Sequence, residues 1–411
     1  MKKRVYILGG FQTDFSRNWS KEGKSINALI KETVLETFEQ TKINPEDIHS
    51  VHMANFAGEL YNKQGHLGAF IQNAHSDLRG LPSMRHEAAC ASGSVAVLAA
   101  RAEIEAGIYD TILVVGAELM KSVDSKTGGD YLGTAAWYEK EAEGIEYPFP
   151  KLFGKLGTVY QERYGLKYEH LAEISQKNYA NAKRNENAQT REYFMSKDHA
   201  CSLSKYNPEV GGIVRITDCS QVTDGAASVI LASHEAASDW CKKNNIAFET
   251  LPFIEGWGHT TAPVLFDEKM EHSKDNEYVL PFTRKAVLDA YERAGIKGAD
   301  DLDVIETHDC FTTSEYMAIE HIGITEPGKA WRAVEDKTIH FEGRLPVNPS
   351  GGLIGAGHPV GATGVRQILD AYKQVSGKAG GYQIKNAKRV LTLNMGGSAT
   401  TNVVHIISRE K

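Results

Sequence analysis

The sequence predicts an α/β fold made of two similar halves, and two observations support this prediction. Short apolar segments rich in β-branched residues alternate with segments of helical periodicity, a pattern typical of a buried sheet with helices on both faces. A helix end, a short acidic turn and a strand that closes on phenylalanine occur twice, over residues 38–56 and 291–311. A repeat on this scale indicates two α/β units that pack together.

The spacing of apolar residues places the elements of the two halves. In the first half we expect strands at 5–8, 48–53 and 111–115 and helices at 26–40 and 91–106. In the second half we expect strands at 302–305 and 389–393 and a helix at 360–372. Each half thus carries a glycine-containing loop, a helix and an apolar strand in the same order.

The middle of the chain, residues 121–245, differs from both halves. It is too apolar for a solvated linker, glycine and proline interrupt it, and helices are predicted at 156–164 and 168–184. Residues 223–231 have the composition of a returning core strand. We therefore predict an N-terminal half over 1–120, completed by about 215–245, an inserted domain over 121–214, and a C-terminal half over 246–411.

The composition favours a well-packed enzyme. Hydrophobic residues make up 41% and charged residues 24% of the 411 residues, which supports a sizeable core. The net charge is −7 and the isoelectric point is near 6.1, which argues against a nucleic-acid-binding protein. Five cysteines without C-x-x-C spacing fit neither a disulfide framework nor a zinc module, and they favour a reducing compartment.

Neither a membrane-spanning segment nor a targeting signal is expected from the sequence. No segment approaches the roughly 20 apolar residues of a membrane span. The basic start is followed by too short an apolar stretch for a signal peptide, and the final Ser-Arg-Glu-Lys is not the peroxisomal Ser-Lys-Leu signal. We therefore expect a cytoplasmic protein that binds neither membranes nor nucleic acid.

Cys90 is the first candidate functional residue. It lies in Glu-Ala-Ala-Cys-Ala-Ser-Gly-Ser, residues 87–94, at the start of a predicted helix whose dipole and free N–H groups favour a thiolate. Its small neighbours let other backbone approach the sulfur. A lone cysteine in an apolar setting is more often a core residue, so this segment alone leaves both a nucleophile and a structural role open.

His358 lies in a second segment, residues 348–364, which contains six glycines and leads into a predicted helix. This segment lacks the Gly-Lys-Ser/Thr ending of a P-loop and the spacing of a dinucleotide fingerprint. The repeat places His358 and Cys90 at equivalent turns of the two halves, so the imidazole is a candidate base for the thiol proton. A satisfied core histidine is the alternative.

Two further segments follow predicted strands. His308-Asp-Cys-Phe311 comes at the carboxyl edge of the sheet, where α/β sites form. His308 can donate a hydrogen bond to a developing oxyanion and Cys310 can act as an acid or base, whereas a metal site lacks a third ligand at suitable spacing. Asn394-Met-Gly-Gly-Ser398 follows what we predict to be the last core strand, where it forms either an oxyanion hole or a simple turn.

Together these segments resemble the motifs of the thiolase superfamily, over essentially the whole chain. Residues 87–94 resemble the nucleophilic-cysteine motif, and residues 348–364 resemble the Gly-His-Pro-x-Gly-Ala-Thr/Ser-Gly motif. Residues 156–160 and 223–227 are similar to motifs of the inserted segment and the return strand. The resemblance implies a thiolase-like, duplicated five-layer α-β-α-β-α fold with an inserted loop domain that covers coenzyme A (CoA).

The chain departs from many thiolases at two places. They have Asn-Glu-Ala-Phe where this chain has His308-Asp-Cys-Phe311, and a second cysteine where it has Asn394. The His-Asp-Cys-Phe version resembles the sterol-carrier-protein-type and archaeal-type acetyl-CoA C-acetyltransferases. In that group the cysteine of this segment, here Cys310, is thought to replace the missing one.

The resemblance implies that the protein makes or cleaves a C–C bond between CoA thioesters. Cys90 would carry the acyl group, His358 would be its base, and Cys310 would move the α-proton. One oxyanion hole would use the N–H groups of Cys90 and Gly396, and the other would use His308 and His358. The residues implied to contact the substrate are Leu156 and Trp257. No covalently bound cofactor and no metal is expected.

The sequence is also compatible with other functions and with several kinds of assembly. A ketoacyl-synthase-type condensing enzyme shares the fold, although the Gly-His-Pro segment resembles a thiolase more closely. A carbon-acyltransferase with a non-CoA acceptor is a second alternative, and an assembly subunit that needs a partner is a third. As partners besides acyl-CoA and CoA, we expect a second copy, as a homodimer or dimer of dimers, and allow for a small acyl-CoA-binding protein.

Overall fold

The structure is a computed structural model that describes residues 4–410. In chain order the strands are β1 (Tyr6–Gln12), β2 (Ser50–Ala54), β3 (Ser83–His86), β4 (Thr111–Glu118), β5 (Glu209–Gly211), β6 (Val214–Arg215), β7 (Gly225–Ala232), β8 (Phe253–Thr261), β9 (Val304–Glu306), β10 (Arg389–Gly396) and β11 (Thr401–Ser408). Among the described residues, β5 and β6 form a hairpin and the other nine strands form one sheet.

The helices fill the connections between these strands. They are α1 (Ile26–Thr41), α2 (Gly58–Asn62), α3 (Leu67–Phe70), α4 (Ser92–Ala106), α5 (Ser125–Gly133), α6 (Pro148–Tyr164), α7 (Tyr168–Ala182), α8 (Lys197–Cys201), α9 (His234–Asn244), α10 (Phe266–Ser273), α11 (Pro281–Ala294), α12 (Thr312–Ile322), α13 (Ala330–Glu335), α14 (Gly352–Ala356) and α15 (Thr363–Ser376).

The order and direction of the strands repeat in the two halves. The sheet runs β3-β2-β4-β7-β1-β8-β11-β10-β9. In the first half β7 lies between β1 and β4 and is antiparallel to both, and β4 is parallel to β2. In the second half β11 lies between β8 and β10 and is antiparallel to both, and β10 is parallel to β9. The halves join where Tyr6 of β1 pairs with Phe253 of β8. The predicted duplicated α/β fold is confirmed.

Apolar packing arranges these elements in five layers. Helix α1 covers the outer face of the first half, and α11 and α12 cover the outer face of the second. Helices α4 and α15 lie between the two halves of the sheet, where apolar residues of both helices meet inward-facing strand residues. All eight residues of β4 are buried, as expected for a strand covered on both faces.

Two predicted boundaries are wrong for local reasons. Helix α6 begins at Pro148, eight residues before the predicted start, because a proline at the first helical position gives up an N–H that has no helical partner there. The segment that begins at Asn394 does not follow the last core strand. Asn394 and Gly396 belong to β10, and β11 pairs with β10 after a short turn.

Helices α5 to α8 and the β5–β6 hairpin lie within residues 121–215, a range that ends one residue beyond the insertion predicted over 121–214. Side chains of α6 and α7 pack with those of α12 in one core cluster, which places this segment over the strand ends of the second half. The exact limits of the insertion stay a prediction. Between residues 4 and 410, no helix combines the length and the apolar character needed to cross a membrane.

The N-terminal ends of α4 and α15 are in direct contact through glycine. A Cβ atom on Gly93 would lie 2.6 Å from the backbone nitrogen of Val365, and one on Gly364 would lie 2.2 Å from that of Ser94. No side chain fits at either position without moving backbone. The small residues of the two motifs therefore let the loops that precede these helices approach each other.

We predict that Gly93→Ala lowers the free energy of unfolding by about 1–3 kcal/mol, because the new methyl group overpacks a backbone contact. Urea unfolding at equilibrium measures the effect. Gly298→Ala is the matched control, since nothing lies within 4 Å of its Cβ position and its backbone is extended. Equal unfolding midpoints for the two variants would contradict the close contact of α4 and α15.

Candidate active site

Two equivalent turns carry the candidate nucleophile and base. Cys90 is the middle residue of a single helical turn, Ala89–Ala91, directly before α4. His358 lies two residues before the corresponding turn, Val360–Ala362, which leads into α15. The predicted equivalence of the two turns is therefore seen in the structure, with the two residues offset by three positions.

The structure brings the four predicted catalytic side chains together. The Sγ atom of Cys90, a ring nitrogen of His308 and a ring nitrogen of His358 all lie within 4.8 Å of one another. The two imidazole rings stand almost perpendicular, with centroids 5.2 Å apart. Cys310 lines the same cavity as Cys90 and His358. Three such donors could also hold a thiophilic metal ion, and their closeness equally permits proton transfer between them.

The cavity in front of these groups has a volume of about 180 Å³ and is mainly apolar. Its thiol and imidazole groups are surrounded by hydrophobic side chains from both halves and from the inserted segment. These side chains are Phe56, Met120, Leu132, Phe149, Phe153, Phe311 and Val360. Such a cavity excludes most water and strengthens every hydrogen bond made inside it.

Hydrogen bonds fix His358 as a proton acceptor. Its Nδ1 lies 2.7 Å from the hydroxyl of Thr363, and that hydroxyl donates its own proton to the carbonyl of Pro359 at 3.0 Å. Nδ1 must therefore carry the imidazole proton, which leaves the lone pair on Nε2. Burial, aided by the nearby charge of Arg366, lowers the pKa of His358 to about 3, so the ring is neutral.

Cys90 rests as a thiol rather than a thiolate. Burial raises the pKa of its thiol to about 12, although the N–H groups of Gly397 and of Cys90 itself act in the opposite direction. The expectation that the helix N-terminus favours a thiolate is thus wrong for the resting enzyme, because desolvation outweighs it. Sγ becomes nucleophilic when a base takes its proton, and Nε2 of His358 is available for this.

His308 presents an unused donor or acceptor to the site. Its side chain is 1% exposed, and its Nδ1 lies 3.1 Å from Nδ2 of Asn394. Its Nε2 has no hydrogen-bond partner among the described residues. Burial, followed by the electrostatic effects of His358 and Arg366, lowers the pKa of His308 far below its usual value. A buried group without a partner is costly, and a substrate oxygen would satisfy it.

Cys310 is buried and its thiol is protonated. Burial, and then the proximity of Cys90, raises the pKa of Cys310 well above its usual value, and its Sγ lies 3.9 Å from the hydroxyl of Ser314. Residues 219–222, the return segment directly before β7, hold Cys310 in place, because the N–H of Ser220 donates to the Cys310 carbonyl at 2.9 Å. Two residues further on, Val222 pairs with His358. One short segment therefore positions both residues.

Asp309 is a positioning residue that the sequence analysis missed. Its carboxylate accepts hydrogen bonds from the N–H groups of Leu353 and Ile354, at 2.6 and 3.2 Å, and from Nδ2 of Asn178 at 2.7 Å. Burial raises its pKa to about 7, with the nearby Glu315 adding to the effect. Asp309 ties the His-Asp-Cys-Phe segment to the glycine-rich segment. Its place between two catalytic candidates was the only signal of this role.

The remaining predicted residues are placed less directly. Gly396 ends β10, where a Cβ atom would lie 2.2 Å from the carbonyl of Ala88, so its backbone is close to the Cys90 loop. Leu156 is 2% exposed within a core cluster. Trp257 is stacked between the guanidinium groups of Arg101 and Arg293. Neither Leu156 nor Trp257 lines the cavity, so the contact of these two residues with substrate stays a prediction.

We predict that alkylation of Cys90 by iodoacetamide accelerates about tenfold per pH unit between pH 7 and pH 10, without a plateau. The reason is that the thiolate fraction keeps rising below a thiol pKa of about 12. Stopped-flow or intact-mass kinetics measure the rate, and Cys90→Ser reports the background from other cysteines. A plateau below pH 8 would instead indicate a preformed Cys90–His358 ion pair.

Comparisons with known proteins agree with this architecture. Residues 5–235 match the family model of the thiolase N-terminal domain, and residues 266–409 match that of the thiolase C-terminal domain-like family. An acetyl-CoA acetyltransferase of Methanothermobacter thermautotrophicus is 31% identical over 98% of this chain and 99% of its own. One of Methanocaldococcus jannaschii is 33% identical over 99% of both.

More distant relatives also match over nearly the whole of this chain. Sterol carrier protein 2 of Rattus norvegicus is 28% identical over 96% of this chain and 70% of its own length. The solved structure of an Ltp2-ChsH2(DUF35) aldolase superposes with a TM-score of 0.79 at 20% identity, over 100% of this chain and 98% of that one. The chain therefore belongs to the thiolase family, and its predicted class of enzyme, an acyltransferase, is confirmed.

Proposed function

We propose that the protein is a thiolase of the acetyl-CoA C-acetyltransferase type, which makes or cleaves a C–C bond between two CoA thioesters through an acyl group on Cys90. The observation that carries this proposal is the convergence of the Cys90 thiol, a His358 nitrogen and a His308 nitrogen within 4.8 Å at the end of an apolar cavity. A nucleophile, a base and an oxyanion donor are the groups that acyl transfer needs.

The first half-reaction transfers the acyl group to the enzyme. Nε2 of His358 takes the proton of Cys90 as Sγ attacks the thioester carbonyl carbon. The oxyanion accepts hydrogen bonds from the N–H groups of Cys90 and Gly396. When the tetrahedral intermediate collapses, the C–S bond to CoA breaks and His358 returns the proton to the leaving CoA thiolate, so the histidine ends neutral.

The second half-reaction forms the C–C bond. The carbonyl oxygen of the second thioester lies against His308 and His358. Cys310 passes its proton to His358, and the resulting thiolate removes the α-proton of the second thioester. The enolate attacks the acyl carbon, the bond to Cys90 breaks, and His358 gives its proton to the leaving Sγ. In the cleavage direction the Cys310 thiol protonates the leaving enolate instead.

Self-association is a further part of the proposal. Strand β3 is the edge of the sheet and pairs with β2 alone among the described strands, and Met84 on it is 39% exposed. An open edge of this kind is a template for pairing with a second copy. We propose a homodimer through β3, or a dimer of such dimers.

A small partner protein is supported by the surface of the inserted segment. Large apolar side chains are exposed there, namely Tyr193, Phe194, Leu203 and Tyr206. The structurally similar Ltp2-ChsH2(DUF35) aldolase is named for a DUF35 component as well as for Ltp2. We propose that a partner of this kind docks on this surface and helps to bind acyl-CoA.

We predict that the purified protein cleaves acetoacetyl-CoA in the presence of CoA, seen as loss of the enolate absorbance. Cys90→Ser should form no acyl adduct in intact-mass measurements. Cys310→Ala should still acylate Cys90 but should condense at least about 100-fold more slowly, because acid–base catalysis contributes about that much. Full condensation by Cys310→Ala would refute its role, and no turnover of any CoA thioester would refute the thiolase proposal.

We also predict a dimer in multi-angle light scattering at micromolar concentration. Met84→Lys should shift the population toward monomer, because a charge on an edge strand opposes strand pairing. Leu288→Lys, which changes a residue of α11 that is 47% exposed, is the control for an added surface charge. A monomeric wild-type protein would rule out the proposed assembly.

A further inference from the structure

We propose that Asn394 is a positioning residue that holds His308 in its Nε2–H tautomer, so that this imidazole donates a hydrogen bond to the carbonyl oxygen of the second thioester. The inference rests on the proposed thiolase reaction. It assigns a task to the asparagine that stands where many thiolases have a second cysteine.

The directions of two hydrogen bonds determine the tautomer. The structure orients the amide of Asn394 so that its Oδ1 accepts a hydrogen bond from the Ser94 hydroxyl at 2.9 Å. Nδ2 of Asn394 then faces Nδ1 of His308 at 3.1 Å. An amide nitrogen can only donate, so Nδ1 of His308 accepts and the single proton of the neutral ring must be on Nε2.

That proton is placed where the reaction needs it. His308 is buried, its Nε2 has no partner among the described residues, and its ring lies against that of His358. Thr363 gives His358 the opposite tautomer, with the lone pair on Nε2. The two histidines thus present one hydrogen-bond donor and one acceptor to the same small volume, although both are neutral imidazoles.

Packing holds the Asn394 side chain between α4 and α15. Asn394 is fully buried in β10, and a Cβ atom on Gly364 would lie 2.5 Å from its Oδ1. The amide therefore fills the space that this glycine leaves between the start of α15 and Ser94 of α4. A thiol at position 394 would offer only weak hydrogen bonds and could not specify a tautomer as strictly.

The first experiment measures the tautomer directly. Protein labelled with ¹⁵N-histidine gives ring-nitrogen shifts that distinguish Nε2–H from Nδ1–H, and the His308 signals are assigned by their loss in His308→Gln. We expect Nε2–H in the wild-type protein. In Asn394→Asp, whose carboxylate can only accept, we expect Nδ1–H. An Nδ1–H wild-type ring would overturn the proposal.

The second experiment separates the two half-reactions. We expect Asn394→Asp to condense about 100-fold more slowly, the usual cost of losing one oxyanion donor, while intact mass shows unchanged acylation of Cys90. Asn394→Leu offers neither donor nor acceptor and should lose condensation similarly. It therefore tests the role of Asn394 even if the carboxyl group of Asn394→Asp keeps its proton. Wild-type condensation rates in both variants would overturn the proposal.

Asn402→Asp is the matched control. Asn402 is also buried, on neighbouring β11, where its amide binds the hydroxyl of Thr283 at 2.6 Å and the carbonyl of Ala399 at 3.0 Å. The Asn402→Asp variant should keep the wild-type tautomer of His308 and should catalyse condensation within a few-fold of the wild-type rate. If wild-type Cys90 takes no acyl group from CoA thioesters, the proposed function fails, and the tautomer measurement still decides what Asn394 does.

Discussion

The contact between the N-terminal ends of α4 and α15 determines the geometry of the site. Gly93 and Gly364 allow the two helices to touch through backbone, so the turns that precede them face each other. Cys90 lies on one turn and His358 precedes the other, and each belongs to a different half of the chain. The duplication of the fold therefore has a direct chemical result, because a pseudo-symmetric contact brings a thiol and an imidazole together.

Burial then decides the protonation states in the resting site. It raises the pKa of both thiols and lowers the pKa of both imidazoles, so all four groups are neutral before substrate binds. The site stores no preformed ion pair. In the proposed reaction, protons move only as the thioester carbonyls develop charge, and the apolar cavity strengthens the hydrogen bonds that stabilise that charge.

Neutral histidines are useful here only if each has the right tautomer, and the surrounding hydrogen bonds supply this. Thr363 accepts a hydrogen bond from His358, and Asn394 donates one to His308. The supporting residues come from β10 and α15, while Asp309 and the return segment at 219–222 fix the loops around them. The chemistry of the site therefore depends on neutral hydrogen-bond partners as well as on the reactive groups.

Local sequence patterns predicted much of the fold and of the candidate site. Apolar periodicity predicted most strands and helices, and the repeated order of elements predicted the duplicated fold. The motifs around Cys90, His308 and His358 identified the candidate site and the family. Boundaries failed at Pro148, which begins a helix instead of interrupting one, and at Asn394, which lies inside β10, the strand that pairs with β11.

By itself the sequence identified the candidate reactive residues, because residue type and motif spacing are local properties. The tertiary structure decided their charge states and tautomers. Desolvation set the pKa of Cys90 against the local effect of its helix N-terminus, and contacts between residues 86 and 300 positions apart set the neighbours of His308 and Asn394. Charge state and tautomer depend on the surrounding dielectric and on long-range hydrogen bonds, and only folding brings these together.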